Sequence, residues 1–361
     1  MPPTPTTEPR LPAATALDDG LLLRVEDLQI QIGTEDGLIR PVDGVSFELP
    51  AGKTLCIVGE SGSGKSLTGR ALMNLLPDRV RIAGGRITYR SAAGPLVDIG
   101  SLPPRGPAIR AIRGAEISLV SQEPMAALSP VHTVGQQLDV VIRQHMGLNR
   151  KQARERALEC LNDVGIPRPA ERLDSYPFEF SGGMRQRVCI ALALACGPRL
   201  IIADEPTTAL DVTTQANILD LFKKLQAEHG LSILFITHDL GVVADVADQV
   251  AVMYLGKVVE TGTVDEIFYD PRHPYTQALL KSVPTLSRQR VRRLAAIRGL
   301  VPSAFNRPSG CAFHPRCDQA IAGVCDVREP PQVVLGAGRT ARCVLQERAD
   351  PAPSIRSARH G

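Results

Sequence analysis

Gly59-Glu60-Ser61-Gly62-Ser63-Gly64-Lys65-Ser66 reads G-x-x-x-x-G-K-S and follows the apolar run Thr54-Leu55-Cys56-Ile57-Val58. Glycines so spaced let backbone N–H groups turn inward around an anion, and a helix starting near Lys65 points the positive end of its dipole at the same place. In that setting Gly59, Ser61, Gly62, Ser63 and Gly64 form a phosphate cradle. Lys65 reaches the β- and γ-phosphates of a nucleotide, and the Ser66 hydroxyl ligates Mg²⁺. A Gly/Ser turn with a surface lysine is the bland alternative; the strand before the loop and the helical spacing of Leu67, Ala71, Leu72 and Leu75 after it favour the cradle.

A second group of acids stands at Leu200-Ile201-Ile202-Ala203-Asp204-Glu205-Pro206. A carboxylate ending an apolar strand beside a phosphate loop is placed to ligate Mg²⁺, which gives Asp204 that role. Glu205, one residue on, is placed to accept a proton from an attacking water. In Phe180-Ser181-Gly182-Gly183-Met184-Arg185-Gln186-Arg187, Ser181 reads as a helix N-cap, and the same geometry aims free N–H groups at an anion.

These residues need a sheet to hold them. Leu22 to Ile32, Val45 to Leu49, Arg86 to Tyr89, Glu116 to Ser121, Leu200 to Ala203, Ser232 to Ile236, Val250 to Met253 and Lys257 to Glu260 read as strands. Val134 to Gly147, Arg150 to Val164 and residues 170–197 carry helical spacing and form a helical insert over about residues 123–197. Gly94 to Pro107, rich in Pro and Gly, reads as a surface loop. Strands alternating with helices predict an α/β core with a largely parallel sheet. Residues 1–20, Pro/Thr/Ala-rich, are expected to be a disordered tail. Residues 21–282 form the main domain, 283–347 a small Cys-rich C-terminal domain, and 348–361 a flexible tail.

Composition narrows the class. Forty-one basic against 38 acidic residues give a formal charge of +3, too balanced to argue for nucleic acid as a main partner. Arg288 to Arg298, locally basic, reads as a solvated face. No charged start leads into an apolar core at the N-terminus, and the longest apolar run, Val188 to Cys196, is about half a membrane span. A soluble, intracellular chain is the expectation, one whose 8 cysteines stay reduced.

The order of the phosphate loop, S-G-G-M-R-Q-R, D-E-P, Ala209-Leu210-Asp211 and Ile236-Thr237-His238-Asp239 resembles the ATP-binding subunits of ABC transporters over residues 21 to about 282. The resemblance implies a P-loop NTPase fold of ABC type: a RecA-like core, an antiparallel β subdomain and the helical insert. It implies ATP with Mg²⁺ as cofactors and head-to-tail pairing of two such domains, in which Ser181, Gly182 and Gly183 serve the partner's ATP. Gln122 takes the place of the glutamine that touches Mg²⁺ and the attacking water, and His238 that of the histidine on the γ-phosphate. Asp211 matches the aspartate acting across the dimer. Phe180 and Met184 depart from the commonest signature residues, and Ile32 stands where the family stacks an aromatic ring on adenine, leaving apolar contact without ring stacking.

Cys311, Cys317, Cys325 and Cys343, with His314 among them, lie in a segment with few apolar residues, which gains most from a metal or a staple. Spacing alone admits Zn²⁺ on four cysteines, or with His314. Cys56, Cys160, Cys189 and Cys196 read as small core residues. The segment from Asp270 to Lys281 and the tail after it resemble the D-type ATPase subunit of oligopeptide and dipeptide importers, some of which carry a [4Fe-4S] cluster on such a quartet. That resemblance implies peptide import driven by ATP hydrolysis, at the cytoplasmic face of the membrane. It implies a paralogous ATPase subunit or second copy, two transmembrane permeases and, indirectly, an extracytoplasmic peptide-binding protein. Nickel-chelate, oligosaccharide or opine cargo, a soluble ABC ATPase without transport, and a redox-responsive module with regulatory ATP are the rivals.

Overall fold

A computed structural model describes residues 17–18, 20–35, 37–208, 210–282, 297–303 and 305–347. The expectations for residues 1–16, for 283–296 and for the tail from 348 onward lie outside the described residues.

The chain opens with two long strands, β1 (Leu21–Thr34) and β2 (Gly37–Pro50), then β3 (Thr54–Val58), helix α1 (Lys65–Ala71), β4 (Val80–Arg90), β5 (Leu96–Asp98), α2 (Pro107–Ile112) and β6 (Ile117–Val120). Helices α3 (Pro124–Ala127), α4 (Val134–Met146), α5 (Arg150–Asp163), α6 (Pro169–Arg172) and α7 (Gly182–Leu194) follow. The sheet resumes with β7 (Leu200–Asp204), α8 (Val212–His229), β8 (Ser232–Thr237), α9 (Leu240–Val246), β9 (Gln249–Tyr254), β10 (Lys257–Thr263), α10 (Val264–Tyr269) and α11 (Pro274–Lys281). The C-terminal segment adds β11 (Val333–Gly336), β12 (Arg339–Ala341) and α12 (Val344–Glu347).

Two sheets result. An antiparallel sheet of 4 strands runs β2-β1-β4-β5, and one of 8 strands runs β11-β12-β10-β9-β3-β8-β7-β6. In the larger, β9, β3, β8, β7 and β6 are parallel, while β10, β12 and β11 continue it antiparallel. Parallel strands are covered on both faces, and alternation of side chains divides them between two cores. Cys56, Ile201, Ile233 and Phe235 pack with α4, α5, α7 and α8. Leu55, Ile57, Ile202, Leu234 and Ile236 pack against Val25, Ile30, Phe47 and Tyr89 of the antiparallel sheet.

Two local expectations are corrected. The strand expected from Val45 begins at Gly37, and the Gly94 to Pro107 loop holds β5 and a 3-10 turn at Ile99–Ser101. β5 has 3 residues, too few for a periodic signal, and exists because it pairs with β4. Cys56, Cys160 and Cys189 are buried in the helix-side core with Cys196 against it, and all eight cysteines are free thiols. None of the described helices is long and apolar enough to cross a membrane.

Candidate active site

Buried β3, flanked by β8 and β9, delivers residues 59–64 to the C-terminal edge of the parallel strands, where α1 begins. The loop is tight. A Cβ at Gly59 would lie 2.1 Å from the Met253 carbonyl oxygen, and one at Gly64, whose φ is +99°, 2.4 Å from that of Pro41. Gly62 also has positive φ, at +78°, the conformation that glycine adopts without steric cost. Lys65 is buried and its Nζ donates to the carbonyls of Gly59 (2.8 Å) and Glu60 (3.0 Å). Burial holds its pKa below the usual lysine range, with Glu205, Asp204 and Glu60 opposing that shift. The Ser63 hydroxyl is buried and has no hydrogen-bond partner, an unmet polar group that fits a loop built to receive an anion.

Ser66 Oγ donates to Asp204 Oδ1 at 2.9 Å, bringing hydroxyl and carboxylate together as a divalent cation requires. Burial raises the Asp204 pKa, and the Ser66 hydrogen bond partly offsets this. Next to it, Glu205 turns into the left-handed region at φ +48° while its N–H donates to the Ile236 carbonyl at 2.9 Å. Its carboxylate gathers three side chains: Gln122 Nε2 donates to Oε2 at 3.2 Å, Thr208 Oγ1 to the same oxygen at 3.0 Å, and His238 Nδ1 lies 3.1 Å from Oε1. The phosphate loop, Gln122, Glu205 and His238 line one open cavity of about 670 Å³. A carboxylate so oriented can take a proton from water in that cavity. Another cavity, of about 390 Å³ around Arg24, Phe47 and Thr340, holds none of the candidate residues.

Other candidates stand apart. Ile32, half-buried on β1 opposite Ile39 and Val80, does not line the phosphate cavity. Ser181 and Gly182 are exposed at the start of α7, where Ser181 Oγ accepts from Met184 N at 3.4 Å. Exposed Asp211 caps α8, accepting from Thr214 N at 3.0 Å and Thr214 Oγ1 at 2.6 Å. A Cβ on Gly183 would lie 2.6 Å from Thr214 Cγ2, so the two helix starts abut.

Cys311, Cys317, Cys325, Cys343, His273 and His314 line a small apolar cavity. Among the described residues no group of three or more His, Cys, Asp or Glu side chains is close enough to hold a metal ion. The thiols nonetheless sense one another: burial raises the pKa of Cys343 to about 11, and Cys311, Cys317 and Cys325 add to the shift. Backbone N–H groups reach two of the sulfurs, from Gln319 to Cys317 at 3.4 Å and from Ile321 to Cys325 at 3.3 Å.

The ABC transporter family profile matches residues 42–208, and the profile "Oligopeptide/dipeptide transporter, C-terminal region" matches 259–325. The dimeric post-hydrolysis structure of the ATP-binding cassette MJ0796, bound to ADP and Pi, is 26% identical with a TM-score of 0.59, covering 67% of this chain and 99% of that one. The chain belongs to the ATP-binding proteins of ABC transporters, an ATPase family. Its place within them is the oligopeptide/dipeptide branch. It is 48% identical to the dipeptide transport ATP-binding protein DppD of Bacillus subtilis, over 90% of this chain and 95% of that protein. It is also 50% identical to the oligopeptide transport ATP-binding protein OppD of the same organism, over 86% of this chain and 85% of that one.

Proposed function

We propose that the chain binds and hydrolyses ATP to drive import of short peptides, as a peripheral subunit at the cytoplasmic face of membrane permeases. The observation that carries this is the Glu205 carboxylate, gathering Gln122, Thr208 and His238 beside the phosphate loop. Peptide cargo is supported by similarity to dipeptide and oligopeptide transport proteins that extends through the C-terminal segment. The partners are two transmembrane permeases, a paralogous ATPase subunit or second copy, and indirectly a peptide-binding protein. Residues 21–282 act as the ATPase unit and 283–347 as its C-terminal addition.

Gly59, Ser61, Gly62, Ser63, Gly64 and Lys65 hold the phosphates, and Ile32 offers adenine an apolar contact. Ser66, Asp204 and Gln122 hold Mg²⁺, which when bound neutralises charge developing on the phosphoryl group. Glu205 takes the proton of the attacking water, and His238 steadies both that carboxylate and the γ-phosphate. Ser181, Gly182, Gly183 and Asp211 act on ATP held by the partner, a role supported by the exposure of Ser181, Gly182 and Asp211 at the starts of α7 and α8.

We also assign a [4Fe-4S] cluster to Cys311, Cys317, Cys325 and Cys343. Four free thiols around one cavity, two of which, Cys317 and Cys325, receive a backbone N–H, suit thiolates beside a cationic centre. When bound, such a cluster supplies a cross-link and a one-electron redox couple.

Both readings are tested directly. In the importer reconstituted in vesicles, Glu205→Gln is expected to keep ATP binding and stop ATP-driven peptide uptake; wild-type uptake removes Glu205 from the base role. Anaerobic purification with iron, sulfide and zinc analysis, compared with Cys317→Ser, checks the cluster: iron and sulfide lost in the mutant support it, and zinc or no metal overturns it.

A further inference from the structure

The phosphate loop is tied to the C-terminal segment at Glu60. Its N–H donates to the Tyr275 hydroxyl at 3.0 Å, and its carboxylate accepts both Nη1 (2.6 Å) and Nη2 (2.9 Å) of Arg316. The Arg316 side chain is 4% exposed and Glu60 24%. Arg316 Nε donates to the Arg298 carbonyl at 2.9 Å, and Nη1 to the Tyr254 hydroxyl at 3.3 Å. The guanidinium lies over the Tyr254 and Phe313 rings, 5.8 and 6.0 Å from their centroids. Tyr254, Tyr275 and Phe313 pack on one another, so the fork has little room to move.

A two-pronged arginine–carboxylate pair fixes geometry as well as charge. Here it fixes the second residue of the loop that must meet a polyphosphate. An uncompensated carboxylate at Glu60 would repel the incoming anion and leave the loop free to shift. Arg316 prevents both, from the short turn His314–Arg316 that lies between Cys311 and Cys317. We infer that Arg316, with Tyr275, is a positioning residue through which the C-terminal segment sets the affinity of the phosphate loop for ATP. This rests on the reading that the loop holds ATP.

The test measures binding of a fluorescent ATP analogue, and steady-state KM and kcat, in the assembled importer. Arg316→Gln is expected to weaken binding and raise KM about tenfold, the size of one charge-assisted pair, with kcat nearly unchanged. Adding Glu60→Gln removes the unpaired carboxylate and is expected to restore most of the lost affinity. A merely structural arginine predicts no such rescue. Unchanged binding in Arg316→Gln, or a double variant no better than the single, overturns the inference. Should Arg316→Gln fail to fold, Arg316→Lys, keeping the charge but not the fork, is expected to show a smaller KM increase, and an unaltered KM there is contrary. Lys65→Ala separates the two readings: if it binds ATP normally, the loop assignment fails; if it loses binding while Arg316→Gln does not, only the coupling fails.

Discussion

The two ends of the candidate site are built differently. Around Glu205 the machinery is assembled within one chain: Gln122 follows β6, His238 follows β8, Thr208 follows β7, and all three reach one carboxylate that is 16% exposed. At the starts of α7 and α8, Ser181 and Asp211 are exposed and hydrogen-bond within their own first turns. Parallel strands bring loops together at their C-terminal edge by topology, so the first end needs no second molecule. The other end is a pair of abutting helix N-termini whose capping residues lie open to solvent, where a second subunit has access to them.

The comparison is broken most sharply at Glu205. Removing a general base costs about 10²–10⁴ in rate, so Glu205→Gln should lower kcat about a thousandfold while ATP binding persists. A single-turnover assay beside a binding titration checks it. A loss of binding equal to the loss of rate would mean that the carboxylate serves the loop's architecture instead. At the other end, Ser181→Arg should leave ATP binding by the same chain unchanged and lower hydrolysis in the assembled importer about a hundredfold, the scale of a lost transition-state donor. Weaker binding by the isolated chain would show that Ser181 serves its own nucleotide.

A smaller effect belongs to Thr208. Its hydroxyl shares Glu205 Oε2 with Gln122, so Thr208→Val removes one of the two side-chain donors to that oxygen. A drop in kcat of about tenfold, the order of one hydrogen bond to a charged group, is expected with KM unaltered. An equal rise in KM would move Thr208 to substrate binding.

What the sequence disclosed follows the same division. Lys65, Ser66, Asp204 and Glu205 sit in contiguous motifs whose chemistry is local, so residue type and order were enough to find them. Gln122 and His238 became legible only by resemblance to a family, because each is a lone polar residue after a strand. Thr208 and Thr214 escaped because Thr is a common turn and helix-start residue. Glu60 and Arg316 escaped because 256 positions separate them and nothing local marks a pair. The same reason hid β5 and the β11–β12 hairpin: 3 or 4 residues carry no period, and they are strands only because β4 and β10 stand beside them.

The smallest effect separates architecture from action at the exposed end. Asp211 caps α8 through Thr214, and those hydrogen bonds hold its carboxyl below the usual carboxylate range. Asp211→Ala should lower the melting temperature by about 2 °C, the cost of a lost N-cap in a chain of this size, whereas Asp211→Asn, itself a good cap, should leave it nearly unmoved. Because the folded carboxyl is the more acidic, its stabilisation is present above the unfolded pKa, and the gap between Asp211 and the Ala variant should narrow below about pH 4. Both variants remove the charge assigned to the partner's nucleotide, so both should slow hydrolysis in the assembled importer. If Asp211→Asn hydrolyses ATP at the wild-type rate, the residue is a cap and nothing more, and the exposed end is reduced to Ser181, Gly182 and Gly183.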